Sequence, residues 1–283
     1  MRAAMPVRRK LLMPSRRHDT SLGWRWHILA PAAALAGLLA ATTAHARMPA
    51  PPEGACRVES VGGERYTICS FDPAAARISV RLNGTDGRPF GKLARLTDAR
   101  PRAVFAMNGG MYHDDLAPVG LYREDGRETE SLKTKRSWGN FGMVPNGVFW
   151  ADGARAGVSE TLAFQRSGRK PRFATQSGPM LVIDGRLHPR FKKASTSYKV
   201  RNGVGVSRDG RVHFALSHGA VSFWTFATLF RDHLDTPNAL FLDGTVSAIR
   251  ARGHSRGGFW APLGPMIVVE EKDVPKPKAR PAG

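Results

Sequence analysis

The feature that most constrains this chain is a phrase repeated with variation: a short apolar run that stops on Asp-Gly or His-Gly. It reads NGVFWADG at 146–153, PMLVIDG at 179–185, VGVSRDG at 204–210, VHFALSHG at 212–219 and NALFLDG at 238–244. Branched and aromatic side chains suit a pleated, half-buried surface. Asp beside Gly supplies a side-chain hydrogen bond and permissive dihedrals, and so turns the chain. The earlier runs RVESV, RYTICSF and RISVRL, then RAVFAM ending in Asn108-Gly109-Gly110 and GLYRED ending in Gly126, follow the same grammar. These segments predict strands joined by tight turns.

One stretch departs from that pattern. SFWTFATLFRDHL, 222–234, places Phe223, Phe226, Leu229, Phe230 and Leu234 on one helical face, with Ser222 as an N-cap and Pro237 just beyond the end. The expected fold is therefore α+β: a mostly β single domain, residues 55–271, with one or two helices packed on the sheet. No internal repeat of solenoid or propeller period is present.

The two ends read differently. Residues 1–46 carry a basic lead (Arg8, Arg9, Lys10, Arg16, Arg17, Arg25), an apolar run at 28–43 and the small-x-small triplet Ala44-His45-Ala46, the pattern of a secretory signal peptide. The alternative is an uncleaved membrane anchor, the one membrane contact the sequence offers. Translation starts at Met1 or Met13. Either way the expectation is export to the periplasm or beyond. A proline-rich leader (47–54) follows, and a basic, proline-rich tail (272–283) reads as disordered.

Charge narrows the partners. Residues 1–46 hold seven Lys or Arg and one Asp of the chain's formal +20; without them 36 basic and 22 acidic residues leave +14. Such an excess favours anionic partners: phosphorylated saccharides, nucleotide-sugar-like molecules or anionic envelope glycans. Export and the lack of any nucleic-acid-binding signature argue against nucleic acid. The cysteines, Cys56 and Cys69, flank Gly62-Gly63 between two strand-like runs, and in an oxidising compartment that hairpin favours a disulfide.

Four stretches could carry chemistry. In MNGGMYHDDLAPVGLY (107–122), Asn108, Tyr112, His113, Asp114 and Asp115 crowd around Gly109-Gly110, whose backbone can approach a ligand closely; a surface loop of Asx turns is the plain alternative. Ser177-Gly178 lacks the spacing of a nucleophile elbow, so a hydroxyl or backbone contact to substrate, or a simple strand-entry turn, fits better than a covalent serine. Arg201 precedes a strand and could fork a phosphate, although most Arg side chains are solvated surface. His218 could serve as acid or base, although a lone His is more often structural. Finally Asp243, before Gly244, is either an Asx turn or an acid placed for work on a glycosidic bond. That work usually needs a second carboxylate, and Asp114 or Asp115 are the candidates.

The order of these stretches resembles the phosphodiester glycosidase family over about 102–269: MNGGMY, NGVF, SGPMLV-DG, R-N-GVG-DG, FALSHG-VSF, a helix, NALFLDG. The resemblance implies hydrolysis of a sugar-1-phosphodiester on the glycosidic side, giving free sugar and a phosphate monoester. It places Asn108-Gly109-Gly110, Ser177-Gly178, Arg201 and Asp243-Gly244 on family motif positions. By charge logic Arg201 goes to the phosphate, Asp243 to catalysis or sugar recognition, and Asn108 with the glycine amides to positioning. Where many members carry Asp-Gly-Gly-Gly-Ser, this chain has Asp243-Gly244-Thr245-Val246-Ser247, a stiffer loop that bears on substrate choice.

Two rivals remain at this level. One is a non-catalytic envelope or exopolysaccharide-related protein that holds anionic glycans. The other is a metal-assisted phosphodiesterase using His113, Asp114, Asp115 and Asp243; the sequence requires no cofactor and leaves a divalent metal open. The sugar, the aglycone, the anomer and the oligomeric state are not written in the sequence.

Overall fold

The hairpin drawn between the two cysteines is present. Strand β1 (Cys56–Val61) turns through Gly62-Gly63, at φ 60° and 84°, into β2 (Glu64–Phe71). Positive φ at both central residues is what a two-residue loop needs to match the strand twist. Cys56 lies directly opposite Cys69, with a Cα–Cα distance of 4.1 Å, and the two form a disulfide. The computed structural model describes residues 48–272 apart from 138, 245, 259 and 260. The signal or anchor at 1–46, most of the 272–283 tail and the start of the leader lie outside those residues.

After β2 come β3 (Ala76–Arg81), α1 (Leu93–Asp98), β4 (Ala103–Asn108), β5 (Tyr122–Glu124), β6 (Arg127–Glu130), β7 (Gly147–Asp152), β8 (Arg155–Glu160) and α2 (Thr161–Arg166). Then follow β9 (Phe173–Ser177), β10 (Met180–Ile183), β11 (Arg186–Leu187), β12 (Asn202–Val206), β13 (Val212–Ser217), α3 (Phe223–Thr228), β14 (Asn238–Asp243), β15 (Ile249–Ala251) and β16 (Met266–Glu271). Among the described residues they form three sheets, in the orders β1-β2-β13-β12-β14-β10-β11, β15-β4-β16-β3 and β6-β5-β9-β7-β8. The described residues lie in one compact unit.

The sheets share a core. Phe214 on β13 stacks on Phe105 of β4 at 4.8 Å and meets Phe149 of β7 edge-on at 6.0 Å, so one ring joins all three sheets. Val204, Leu216, Leu240, Leu242, Ile267 and Val269, each fully buried, fill the space around it. Dry aromatic packing of this kind is the dominant favourable term for such a fold.

The outer face of the largest sheet carries α3. Ser222 caps it, its hydroxyl accepting the Thr225 N–H at 3.0 Å, and a π-type turn (Leu229–His233) continues it. Phe223, Phe226, Leu229, Phe230 and Leu234, the face drawn from sequence, are all buried against Leu181, Ala215 and Phe241. Three short α-helices are present among the described residues where the sequence gives one or two. The additional ones, α1 and α2, span six residues each, too short to show a helical period.

Candidate active site

Antiparallel pairing sets the last residue of one strand beside the first of another, and this is how the distant motifs meet. Asn108, the last residue of β4, pairs with Met266 at the start of β16. Asn202, the first of β12, lies opposite both Asp243 at the end of β14 and Leu216 near the end of β13. Ser177, the last of β9, faces Gly147 at the start of β7. Two side-chain bonds then cross between sheets: Ser177 Oγ donates to Leu242 O at 2.9 Å and Asn202 Nδ2 donates to Asn108 Oδ1 at 2.6 Å.

At the centre the amides leave no choice of orientation. Asn108 Oδ1 accepts from Asn202 and from the Ala248 N–H at 2.8 Å, and Asn202 Oδ1 accepts the Asp243 N–H at 2.8 Å. Both asparagines are fully buried, and Asn108 Nδ2 has no acceptor among the described residues. A buried donor left without a partner is unfavourable and uncommon, which marks this position as more than a structural bridge.

Asp243 is half-buried and closes its own turn. Its Oδ1 accepts the Gly244 N–H at 2.5 Å, and Ser247 Oγ reaches Asp243 O at 3.0 Å and Gly244 O at 3.2 Å. This bond to the very next N–H, with the Ser247 hydroxyl, fixes the carboxylate at the site. Tyr112 lies close enough to feel that charge: burial, then the Asp243 carboxylate, push its phenol up to about 12. Its hydroxyl donates to Pro262 O at 2.9 Å.

The glycines beside these groups serve close approach. A Cβ on Gly109 would come within 2.8 Å of Ile267 Cγ1 and 3.0 Å of its backbone nitrogen, and one on Gly110 within 2.5 Å of Thr175 Oγ1. Gly178 lies against Asn146, where a Cβ would meet another at 2.5 Å. Gly244 has ordinary clearance.

Arg201 is 1% exposed. Its Nε donates to Val221 O at 2.9 Å, one Nη to Ser197 O at 3.0 Å, and the guanidinium lies 3.5 Å from the centroid of Phe223. Burial pulls its pKa down to about 10. No carboxylate pairs with it among the described residues. The plain alternative, a solvated surface arginine, is not what is found: two donors serve backbone carbonyls and the charge is enclosed.

The remaining candidates are less central. His218 bonds Thr67 Oγ1 at 2.8 Å, and burial with Arg256 and Arg65 nearby lowers its pKa. Asp114 and Asp115 lie on an exposed turn, where Asp115 Oδ1 accepts the Ala117 N–H at 2.9 Å. His113 is exposed on the same turn and faces Glu130 electrostatically. Among the described residues no three His, Cys, Asp or Glu side chains gather closely enough to hold a metal ion, so the ligand set weighed from sequence is not assembled.

Residues 101–270 match the phosphodiester glycosidase family, more than half of the chain. The chain belongs to the phosphodiester glycosidase family. An Escherichia coli (strain K12) protein, YigE, described as uncharacterized, is 36% identical over 212 residues, covering 74% of this chain and 82% of its own. Two solved structures share the fold. A Synechocystis hypothetical protein has a TM-score of 0.53 at 16% identity and covers 77% of this chain, which in turn spans 61% of that one. The catalytic domain of zebrafish N-acetylglucosamine-1-phosphodiester alpha-N-acetylglucosaminidase, auto-inhibited by its pro-peptide, has a TM-score of 0.53 at 13% identity and covers 77% of this chain and 82% of its own.

Asn202 stands out in the structure rather than in the sequence, and Tyr112 and Ser247, already within motifs read from the sequence, gain their contacts at the site. Asn202 looked like the first residue of an ordinary strand; its signal was its place immediately after Arg201 and before glycine-alternating GVGV. The unusual Val246 also finds a reason. It packs on the cluster of Phe90, Leu93, Leu96 and Ala248 beneath α1, so a side chain anchors a loop that glycines would leave loose.

Proposed function

We propose that this protein is an exported glycosidase that hydrolyses a sugar-1-phosphodiester on the glycosidic side, releasing free sugar and a phosphate monoester. Water supplies the hydroxyl at the sugar carbon and a proton to the departing phosphate. The bond broken is between sugar carbon and phosphate oxygen. The single observation that carries the reading is Arg201, a buried guanidinium with no carboxylate partner, one residue from the Asn202 that holds Asp243. Buried charges are ordinarily paired, and this enclosed charge would favour an anion bound nearby through the low-dielectric interior without touching it.

Positive charge grows on the sugar ring as the bond opens, and negative charge grows on the phosphate. Asp243 stabilises the ring side or holds the sugar, and Arg201 favours the phosphate side through its enclosed charge. Phosphate is a good leaving group, so a strong general acid is less needed, and Asp114 and Asp115 take at most that secondary role. Asn108, the Gly109-Gly110 amides and Ser177-Gly178 position the substrate, with His218 at the rim. The substrate class is a phosphorylated saccharide or nucleotide-sugar-like molecule, met outside the cytoplasm.

The test is product analysis by NMR of the mature protein incubated with a panel of sugar phosphodiesters, including a nucleotide sugar. Free sugar with a phosphate monoester is the expected pair, lost in Asp243→Asn. Sugar-1-phosphate among the products would place the cut on the phosphate side and overturn the reading. No turnover alongside tight binding of an anionic glycan would favour the non-catalytic envelope role.

A further inference from the structure

Between β11 and β12 the chain runs from 188 to 201 without strand or helix, tied to its surroundings by the His188 N–H to Leu181 O, a bridge between Lys199 and Val221, and the bonds of Arg201 to Ser217 and Val221. Long connections of this kind inside a compact domain are usually functional. From 185 to 208 the sequence has no acidic residue, yet it includes Arg190, Lys192, Lys193, Lys199 and Arg201. None of these five joins an ion pair among the described residues.

The segment is held in place, not loose. His188 stacks on Phe191 at 4.8 Å, Phe191 lies parallel to Phe223 at 5.0 Å and 7°, and the Arg201 guanidinium lies over the Phe223 ring at 3.5 Å. His188 Nδ1 also accepts the Arg190 N–H at 3.2 Å. The column walls a cavity of about 340 Å³, lined by Asn140, Arg190, Lys192, Ser195, Thr196 and Trp224 among others. Its cations and hydroxyls have no neighbouring carboxylate in that lining.

One ring pair, Phe223 and Phe241, connects the cavity wall to the Asp243 turn. Phe223 meets Phe241 edge-on at 4.9 Å, two residues before Asp243. A Cβ on Gly244 would lie 3.4 Å from that same Phe241 ring and 3.5 Å from Val200 O, at the end of the basic segment. The rings of Phe191 and Phe223 are already engaged in the column, so the cavity selects by charge and hydroxyl hydrogen bonds and not by stacking a flat base.

We propose that this cavity seats a second phosphoryl group on the aglycone, so that the substrate is a sugar phosphodiester whose aglycone carries further phosphate. The aglycone extends over Arg190 and Lys192 while the sugar sits at Asp243. This rests on the glycosidase reading for the direction in which the substrate lies. The binding of the anion does not depend on turnover.

The test is calorimetric titration of the mature protein in about 0.15 M salt, where the Debye length is about 8 Å, so that loose surface attraction is screened. The probes are inorganic pyrophosphate and, as the singly phosphorylated control, inorganic phosphate. Pyrophosphate is expected to bind at least about tenfold tighter than phosphate, and Arg190→Ala with Lys192→Ala to weaken it at least about tenfold, since removing charged hydrogen-bond donors costs that much or more. Arg166→Ala with Lys170→Ala, two exposed cations at α2, should change it less than about twofold. No preference for pyrophosphate, an equal loss in the α2 pair, or indifference to Arg190 and Lys192 overturns the proposal. Pyrophosphate binding through these residues without turnover of any phosphodiester keeps the cavity and removes the glycosidase reading; turnover with no such binding does the reverse.

Discussion

Asn202 donates its Nδ2 hydrogen to Oδ1 of Asn108 at 2.6 Å, across 94 positions of sequence and from one sheet to another. The bond ties β12 to β4 inside a space closed to solvent, and Asn202 Oδ1 extends it to the backbone of Asp243. Position of the carboxylate is therefore set by two amides that cannot turn over without losing both bonds.

The first prediction concerns that pair. Asn202→Ala leaves the Asp243 N–H without its acceptor and leaves Asn108 Oδ1 with the Ala248 N–H alone, so it should lower global stability by about 1–3 kcal/mol. Asn202→Asp should do no better, because a carboxylate cannot donate to Asn108 Oδ1. Urea unfolding of the three proteins measures the difference; variants as stable as the parent would mean the bridge is not a structural member.

The second concerns the ring that joins the sheets. Phe214 touches Phe71, Phe105 and Phe149 and is fully buried, so Phe214→Ala removes contacts to all three sheets at once. A loss of about 3–5 kcal/mol is expected in chemical denaturation, the range for a large aromatic cut to alanine in a core. Phe214→Leu keeps much of the volume and should cost about half as much.

Much of this architecture is legible in the sequence, because strand and turn signals are local. The runs ending in Asp-Gly or His-Gly became β7, β10, β12, β13 and β14, and the five apolar residues of 222–234 all face inward. Short helices such as α1 and α2 were not legible, since six residues hold under two turns. The site was legible as a set of motifs but not as a geometry. Nothing local distinguishes Arg201 beneath Phe223 from an arginine at the surface, and the Asn202 bridge exists only once antiparallel register brings position 108 to it.

The third prediction concerns the disulfide. Cys56 and Cys69 close a loop with a sequence separation of 13, at the edge strand of the largest sheet. On the chain-entropy account a loop of that size contributes about 3 kcal/mol by restricting the unfolded chain. Cys56→Ser with Cys69→Ser should lose that amount in urea unfolding yet keep the β-rich circular dichroism spectrum, because β2 remains paired to β13. Loss of the fold itself would show that the hairpin is needed for more than entropy.

The fourth concerns acid. Burial pulls the His213 pKa down to about 4, and its ring is held neutral between Ser70 Oγ and Ser207 Oγ at 2.8 Å and 2.9 Å. An unfolded histidine titrates near 6.5, so between pH 6.5 and 4 the unfolded chain binds the extra proton and stability rises with pH. The contribution is fully present above 6.5 and is lost as pH falls towards 4. His188, lowered to about 4 by burial, adds to the same window. His213→Gln should flatten the dependence by up to about 1.4 kcal/mol per pH unit, read from denaturation midpoints across that range.

The last prediction separates stability from function at Arg201. A buried guanidinium that meets, among the described residues, two carbonyl oxygens and the rings of Phe223 and Phe241 carries a desolvation penalty that no carboxylate there offsets. Arg201→Met keeps the volume against Phe223 and relieves that penalty, while two carbonyls lose their donors at about 1 kcal/mol each. Stability should therefore stay within about 2 kcal/mol of the parent. Turnover should not: removing a fixed positive charge from the phosphate side of the reaction should reduce kcat/KM about a hundredfold on a sugar phosphodiester. Measuring unfolding and kinetics on the same preparation decides between roles. A variant that is much less stable but fully active would make Arg201 a pillar for the 188–200 segment and nothing more.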